Sequence, residues 1–364
     1  MEKELFALLR LGLGNTKTEE ENLSDFIMLS KEQWERIGVL ARVQGVLGVA
    51  LDGVDRLETS GYGATRDLPV SLKLEWIGEV LTIEQANQHQ MAVMNEMAEK
   101  WTQNGCRVMV MKGQANGVIY PKPNHRCPGD IDCYLFEDYV KGNEIAREVG
   151  AKVDESWYKH SVINYKGETF ENHQYFVHTR DGKRGKRLNQ ELVEQLRVES
   201  LEFRELPAAQ AVVMPPVQWN AMFLTYHACA HFVSEGLRLK QILDWAMFLK
   251  AHQDDVDWVN FYGFCERNHL RRFADAMTHI AAKFIGVKMS NPAILTDSPY
   301  AEKILHNALY ENDYVFSSGE NGWKNRWHIV TNLFKYRWKY EDVYQMSIYK
   351  QLWFYITGFI FKTE

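Results

Sequence analysis

Apolar residues recur at helical spacing from Trp34 through Ile37, Leu40, Ala41 and Leu47, just after Ser30 and Gln33. A serine followed three residues later by glutamine is a capping-box signal, so a helix is expected to start there. Gly61-Tyr62-Gly63 and Pro69 mark a loop, and a long helix is expected over 71–103. Trp76, Val80, Ile83, Met94, Met97 and Trp101 are among its apolar positions, and Asn104-Gly105 is its stop, since glycine tolerates the left-handed conformation that closes a helix. Its methionine-rich stripe reads as core packing.

Beyond Gly105 the pattern shortens to strands and turns. Buried strands are expected over 108–111 and 132–136, and a helix over 139–149 ending at Gly150. Two further strands, 161–165 and 169–177, are joined by the Lys166-Gly167 turn. Asp181-Gly182 makes another turn before a helix over 189–198. After Pro215-Pro216 helical spacing returns over 219–233, 237–250, 256–268 and 271–285, until Pro292 and Pro299 interrupt it. The expected organisation is an α+β chain: an N-terminal helical region (1–104), a small mixed-sheet α/β core (105–205) and a C-terminal helical region (206–364).

Composition narrows the class. The chain has 364 residues, 46% of them apolar and 13% aromatic, enough for a sizeable core. A net charge of −6 argues against a general nucleic-acid coat protein. Five cysteines, odd in number and without a CxxC pair, point to reduced thiols rather than a disulfide or zinc framework. The start lacks the pattern of a secretory signal and no apolar run reaches spanning length, so a soluble, cytoplasmic protein without a transmembrane segment is expected.

The chemistry concentrates in RVMVMKGQANGVIYPKPNHRCPGDIDCYLF, residues 107–136. Alternation along a strand points Asp130 and Asp132 the same way, with Ile131 turned to the core. Two adjacent carboxylates repel unless a cation or proton lies between them, and such oxygen ligands suit Mg²⁺ or Mn²⁺ with substrate phosphate. A third acid is supplied by Glu171 of Glu171-Asn172-His173, on a later strand; Glu168, nearer the turn, is its solvated competitor.

Strand, glycine-containing turn, short helix, Asp-x-Asp and a single later acid is an order that resembles nucleotidyltransferases of the DNA polymerase β type. More closely, MKGxxxxxxYP, Arg126, GDIDCYL, ENH and HACAHFVSEGLRLKQILDWAMFL resemble the uncharacterised bacterial nucleotidyltransferase family with a Lys-Gly turn and a GDID motif. The resemblance implies a polymerase β-like core in which Asp130, Asp132 and Glu171 are catalytic and bind Mg²⁺ or Mn²⁺. Lys112, Gly113, Gln114 and Arg126 then bind the nucleotide. The implied reaction moves a nucleotidyl group from an NTP to an acceptor hydroxyl with release of pyrophosphate. The acceptor (small molecule, saccharide precursor, protein or RNA), the NTP and the oligomeric state are not read from the sequence.

Other residues carry blander expectations. Arg126 has Asp130 as a candidate ion-pair partner. His173 reads as a packed strand histidine, and Lys159 and His160 as a solvated loop. His227 and His231, four apart, lack the glutamate of an HExxH hydrolase and read as core or helix-face residues. Arg238 and Asp244 either pair or face the nucleotide. The run from Arg180 to Arg187, with five basic residues in eight, reads as a solvated loop, and the aromatic tail from Trp323 as packing on the helical region. Two competing functions stand beside nucleotidyl transfer: an Asp-x-Asp glycosyltransferase using a sugar nucleotide, and a non-catalytic nucleotide-binding module.

Overall fold

In the computed structural model the described residues are 2–16, 21, 26, 29–59, 65, 67–178, 182–198, 202–207, 209–234, 236–311 and 330–353. The expected Gly61-Tyr62-Gly63 loop, Arg180, Asp181 and parts of the tail lie outside them.

Three N-terminal helices, α1 (Glu2–Gly12), α2 (Lys31–Val43) and α3 (Leu47–Thr59), precede the long helix α4 (Val70–Gln103). The capping box forms as its residues require: the Gln33 amide nitrogen donates to Ser30 Oγ, and the Ser30 backbone to Gln33 Oε1. Gly105 closes α4 with φ +82° and donates its N–H to Thr102 O. Met94 and Met97 are fully buried, as their stripe implied.

One mixed sheet of seven strands follows: β1 (Met109–Met111), β2 (Ile131–Tyr134), β3 (Lys152–Asp154), β4 (His160–Tyr165), β5 (Glu168–His173), β6 (Arg204–Leu206) and β7 (Ala209–Met214). Their spatial order is β3-β4-β5-β2-β1-β7-β6. β1 is antiparallel to β2 and parallel to β7, and β2 is parallel to β5. Strands β3, β6 and β7 were not expected; the sheet runs on to Met214. Between strands lie the one-turn helix α5 (Gly113–Gly117), α6 (Tyr139–Glu148) and α7 (Lys183–Gln195).

The described part of the basic run, from Lys183, is therefore the start of a helix and not a loop. Arg184 stacks on Tyr344 at 3.8 Å and donates to the carbonyls of Asn268 and Tyr344, so burial against the C-terminal segment orders it.

The C-terminal layer comprises α8 (Val217–Ser234), α9 (Leu239–His252), α10 (Trp258–Arg267), α11 (Arg271–Lys283) and α12 (Ala301–Tyr310). The described tail packs on it, with Lys339 Nζ donating to Phe232 O at 3.0 Å. The fold class is thus α+β, one mixed sheet with flanking helices. No helix among the described residues is long and apolar enough to cross a membrane.

Alternation sorts the sheet's two faces. Val108, Val110, Ile131, Cys133 and Phe170 pack with Met94, Met97 and Trp101 of α4 in one cluster. Met109, Met111 and Tyr134 belong to the other, shared with α8 and α9. Asp132 and Glu171, each one residue out of phase with the first set, point to the second face. The acids therefore lie between the sheet and the C-terminal helices.

Candidate functional site

Asp132 and Glu171 are register partners across the parallel β2–β5 pair, which places carboxylates distant in sequence side by side. His160 is the partner of His173 across β4–β5. His160 thus opens β4 on the acid face, with only 13% of its side chain accessible, rather than sitting in a solvated loop. His173 Nε2 lies 3.0 Å from Asp132 Oδ1 and 3.4 Å from Glu171 Oε2, and His160 Nε2 lies 3.5 Å from Glu171 Oε1. His173 is a fully buried strand residue, as expected, and one that faces the acids.

Lys112 closes β1 and turns the chain back. It adopts φ +52°, and Gly113 follows at +35°. A positive φ is unfavourable for a lysine, so tertiary contacts must hold this turn. They are present: Lys112 Nζ lies 2.6 Å from Asp132 Oδ1 and 2.7 Å from His227 Nε2. His227, expected on a core face, is instead a wall of the site. Burial, then Lys112 and then His231 push its pKa well below the ordinary value, so it is neutral and accepts from Lys112. His231 Nε2 lies 3.1 Å beyond.

The carboxylates differ. Against the cost of burial, Lys112 and then His173 hold Asp132 well below the usual carboxylate range. Asp130, on the accessible edge, is raised by desolvation, then by Glu171 and Asp132. Glu171 is lowered, burial being outweighed by His173. His160 is drawn down to about 4 by burial, which outweighs the attraction of Glu171.

A cavity of about 340 Å³ opens beside this cluster, within the range of small-ligand sites. Lys112, Gly113, Asp130 and Asp132 line it from the sheet, and His227, Lys240, Trp245 and Met277 from the helices. Glu171, His160 and His173 are not on its wall; they lie on the β5 side of Asp132. Lys240 donates to Pro128 O at 3.1 Å, and burial, followed by Arg126, lowers its pKa to about 8.

Two other residues expected to touch nucleotide are engaged elsewhere. Arg126 reaches the cavity wall, but its partner is Asp244, not Asp130: Nε and Nη2 form two parallel bonds of 2.8 Å, and Tyr120 donates to the same carboxylate. Gln114 Nε2 donates to Asn87 Oδ1 and Gln90 Oε1 on α4. Those two side chains in turn donate to the carbonyls of Arg126 and Gly129, fixing the loop that delivers Asp130. Glu168 sits away from the cluster, accepting from Gln90.

His160 and His227 stand where they were not expected, which was a solvated loop for the first and a core or helix face for the second. For His160 the signal was available: extending the 161–165 strand by one residue puts it opposite His173. For His227 it was not, because only the packing of α8 over β1 brings it to Lys112.

Comparison with known families adds one match: a family model described as uncharacterised nucleotidyltransferase covers residues 30–286, spanning the sheet, α4 and the helices that close the cavity. No curated protein and no solved structure matches the chain.

Proposed function

The chain belongs to the family of uncharacterised nucleotidyltransferases, and from that premise we propose that it transfers a nucleotidyl group from an NTP to an acceptor hydroxyl in a reaction dependent on a divalent cation. The observation that supports the reading is the pairing of Asp132 with Glu171 across β2–β5, next to a cavity with Asp130 and Asp132 on its wall.

The donor set fits a hard divalent ion. Desolvation, then Glu171 and then Asp132, raises the Asp130 pKa, and a cation would relieve that excess of negative charge. Asp130, Asp132 and Glu171 would hold Mg²⁺ or Mn²⁺, which neutralises phosphate charge when bound.

The chain's own residues do the rest. Lys112 and Lys240 bring positive charge to the cavity that receives the triphosphate. Gly113 lets backbone approach the phosphates without a side chain intervening. The acceptor oxygen attacks the α-phosphorus in line, forming the new P–O bond as the bond to the β-phosphate oxygen breaks and pyrophosphate leaves. The hydroxyl proton passes to a carboxylate of the cluster. Positioning and charge neutralisation supply most of the rate. In this account Arg126 and Gln114 act through their neighbours, Arg126 by anchoring α9 and Gln114 by holding the loop before Asp130.

The test is incubation of the protein with each α-labelled NTP, Mg²⁺ or Mn²⁺ and cell extract. Label transferred to an acceptor by the wild type, and not by Asp130→Ala/Asp132→Ala, is the expected result. Transfer from UDP- or GDP-sugars instead would favour the glycosyltransferase. Nucleotide-dependent thermal stabilisation with no pyrophosphate release would favour the non-catalytic module.

A further inference from the structure

Nucleotidyl transfer as set out above asks only for oxygen ligands, yet two imidazoles flank Glu171. We propose that His160, Glu171 and His173, with Asp132 beside them, form a second cation position that selects a transition ion of the Zn²⁺ or Co²⁺ kind over Mg²⁺. The proposal shares Glu171 and Asp132 with the nucleotidyltransferase reading but does not rest on it.

Geometry comes first. One ligand atom from each of His160, Glu171 and His173 lies within 4.8 Å of the others, the one such grouping of three or more potential ligands found among the described residues. His173 Nε2 is 3.4 Å and His160 Nε2 3.5 Å from oxygens of Glu171. Bonds of about 2.0–2.1 Å at tetrahedral angles set donor atoms roughly 3.3–3.4 Å apart. The two imidazoles use different oxygens of Glu171, so a small rotation of that carboxylate completes the set.

The orientation of His173 is the second observation. Its Nδ1 lies 3.2 Å from Tyr175 O, a carbonyl that can only accept, so Nδ1 carries a proton. Its Nε2 is then aimed at two carboxylates, Asp132 and Glu171, with the ring fully buried. A ring nitrogen with two carboxylate oxygens in front of it leaves a gap that a metal ion can fill. An imidazole that donates its far N–H to a backbone carbonyl is the usual arrangement of a metal-ligating histidine. His160 is fixed by stacking on Trp157, with ring planes 13° apart, and its Nε2 faces the same acid.

The donor chemistry selects the ion. Mg²⁺ prefers near-octahedral oxygen ligands and keeps its waters, whereas imidazole favours later first-row ions. Two imidazoles and a glutamate are also a known open zinc set, with a position left for water or substrate oxygen.

The experiment titrates Co²⁺ into full-length protein stripped with a chelator and follows visible d–d absorption. One equivalent is expected to give the intense band of a four- or five-coordinate site, bleached by Zn²⁺ and not by excess Mg²⁺. His160→Ala, at the accessible edge, is expected to weaken Co²⁺ binding by at least about 10–100-fold, the loss seen for partners that only orient a ligand. His173→Asn is the second variant, with circular dichroism confirming that each is folded. A pale six-coordinate spectrum displaced by Mg²⁺, or an unchanged band in folded His160→Ala, overturns the proposal. Asp130→Asn separates the two readings: it is expected to keep the Co²⁺ band while losing Mg²⁺-NTP binding. Loss of the band in folded Asp130→Asn would contradict a histidine-built site, whereas retained Mg²⁺-NTP binding would count against the transferase reading alone.

Discussion

Lys112 Nζ stands 2.6 Å from Asp132 Oδ1, so a turn residue with a strained backbone supplies a cation to the central acid of the cluster. Both side chains are largely buried, at 13% and 7% exposure, and a buried acid that loses its partner is costly. In the proposed reaction such a lysine would compete with a metal ion for Asp132 and would be released toward phosphate when the ion binds.

Lys112→Met is therefore expected to destabilise the protein by about 3–5 kcal/mol when no divalent ion is present. Mg²⁺ should restore more of the lost thermal stability than it adds to the wild type, while NTP affinity falls. Thermal melts with and without Mg²⁺, together with calorimetric NTP titration, check both parts. An identical Mg²⁺ response in variant and wild type would contradict the competition.

Arg126 and Asp244 form a buried pair with Tyr120 completing the carboxylate's partners. Burial alone would disfavour both charges, but each holds the other ionised: Arg126 stays protonated and Asp244 is lowered. Arg126→Ala is expected to cost about 3–5 kcal/mol by stranding Asp244. Arg126→Lys should recover only part of this, because an ammonium cannot reproduce the two parallel bonds. Arg126→Met/Asp244→Leu should lose less than the sum of the single changes. Denaturant midpoints for the set decide it.

Lys240 gives the cavity a pH dependence. Burial lowers its pKa to about 8, so its ammonium is present below that pH and absent above it. Polyphosphate binding should weaken as pH rises from 7 to 9, approaching about tenfold per pH unit above 8 where binding needs the charge. Lys240→Met should bind more weakly at pH 7 and lose this slope. Inorganic triphosphate titrations across the range, in wild type and variant, test it; equal slopes would remove Lys240 from the site.

Much of this was legible because it is local. Ser30 and Gln33 cap α2, Gly105 stops α4, and strand alternation turns Ile131 to the core and Asp132 to the other face; all of these depend on residues within a few positions of one another. What the sequence hid depends on distant partners. Strand β7 (Ala209–Met214) is a short apolar run before two prolines, and its role is defined by β1, a hundred residues earlier. The start of α7 is a row of basic residues whose order comes from Asn268 and Tyr344. Gln114 sits one residue past the phosphate-type turn, yet its amide turns to Asn87 and Gln90, which a motif cannot convey. His160 lay one residue outside the expected strand, and at a strand end that one residue decides which face is counted.

The central claim is that Asp130, Asp132 and Glu171 jointly hold a divalent ion against a nucleoside triphosphate. Calorimetric titration of Mg²⁺-NTP into wild type and into folded Asp130→Ala/Asp132→Ala tests it most directly. The account predicts saturable binding by the wild type that needs Mg²⁺ and is lost in the double variant. Equal heats and affinities for the two proteins would contradict it.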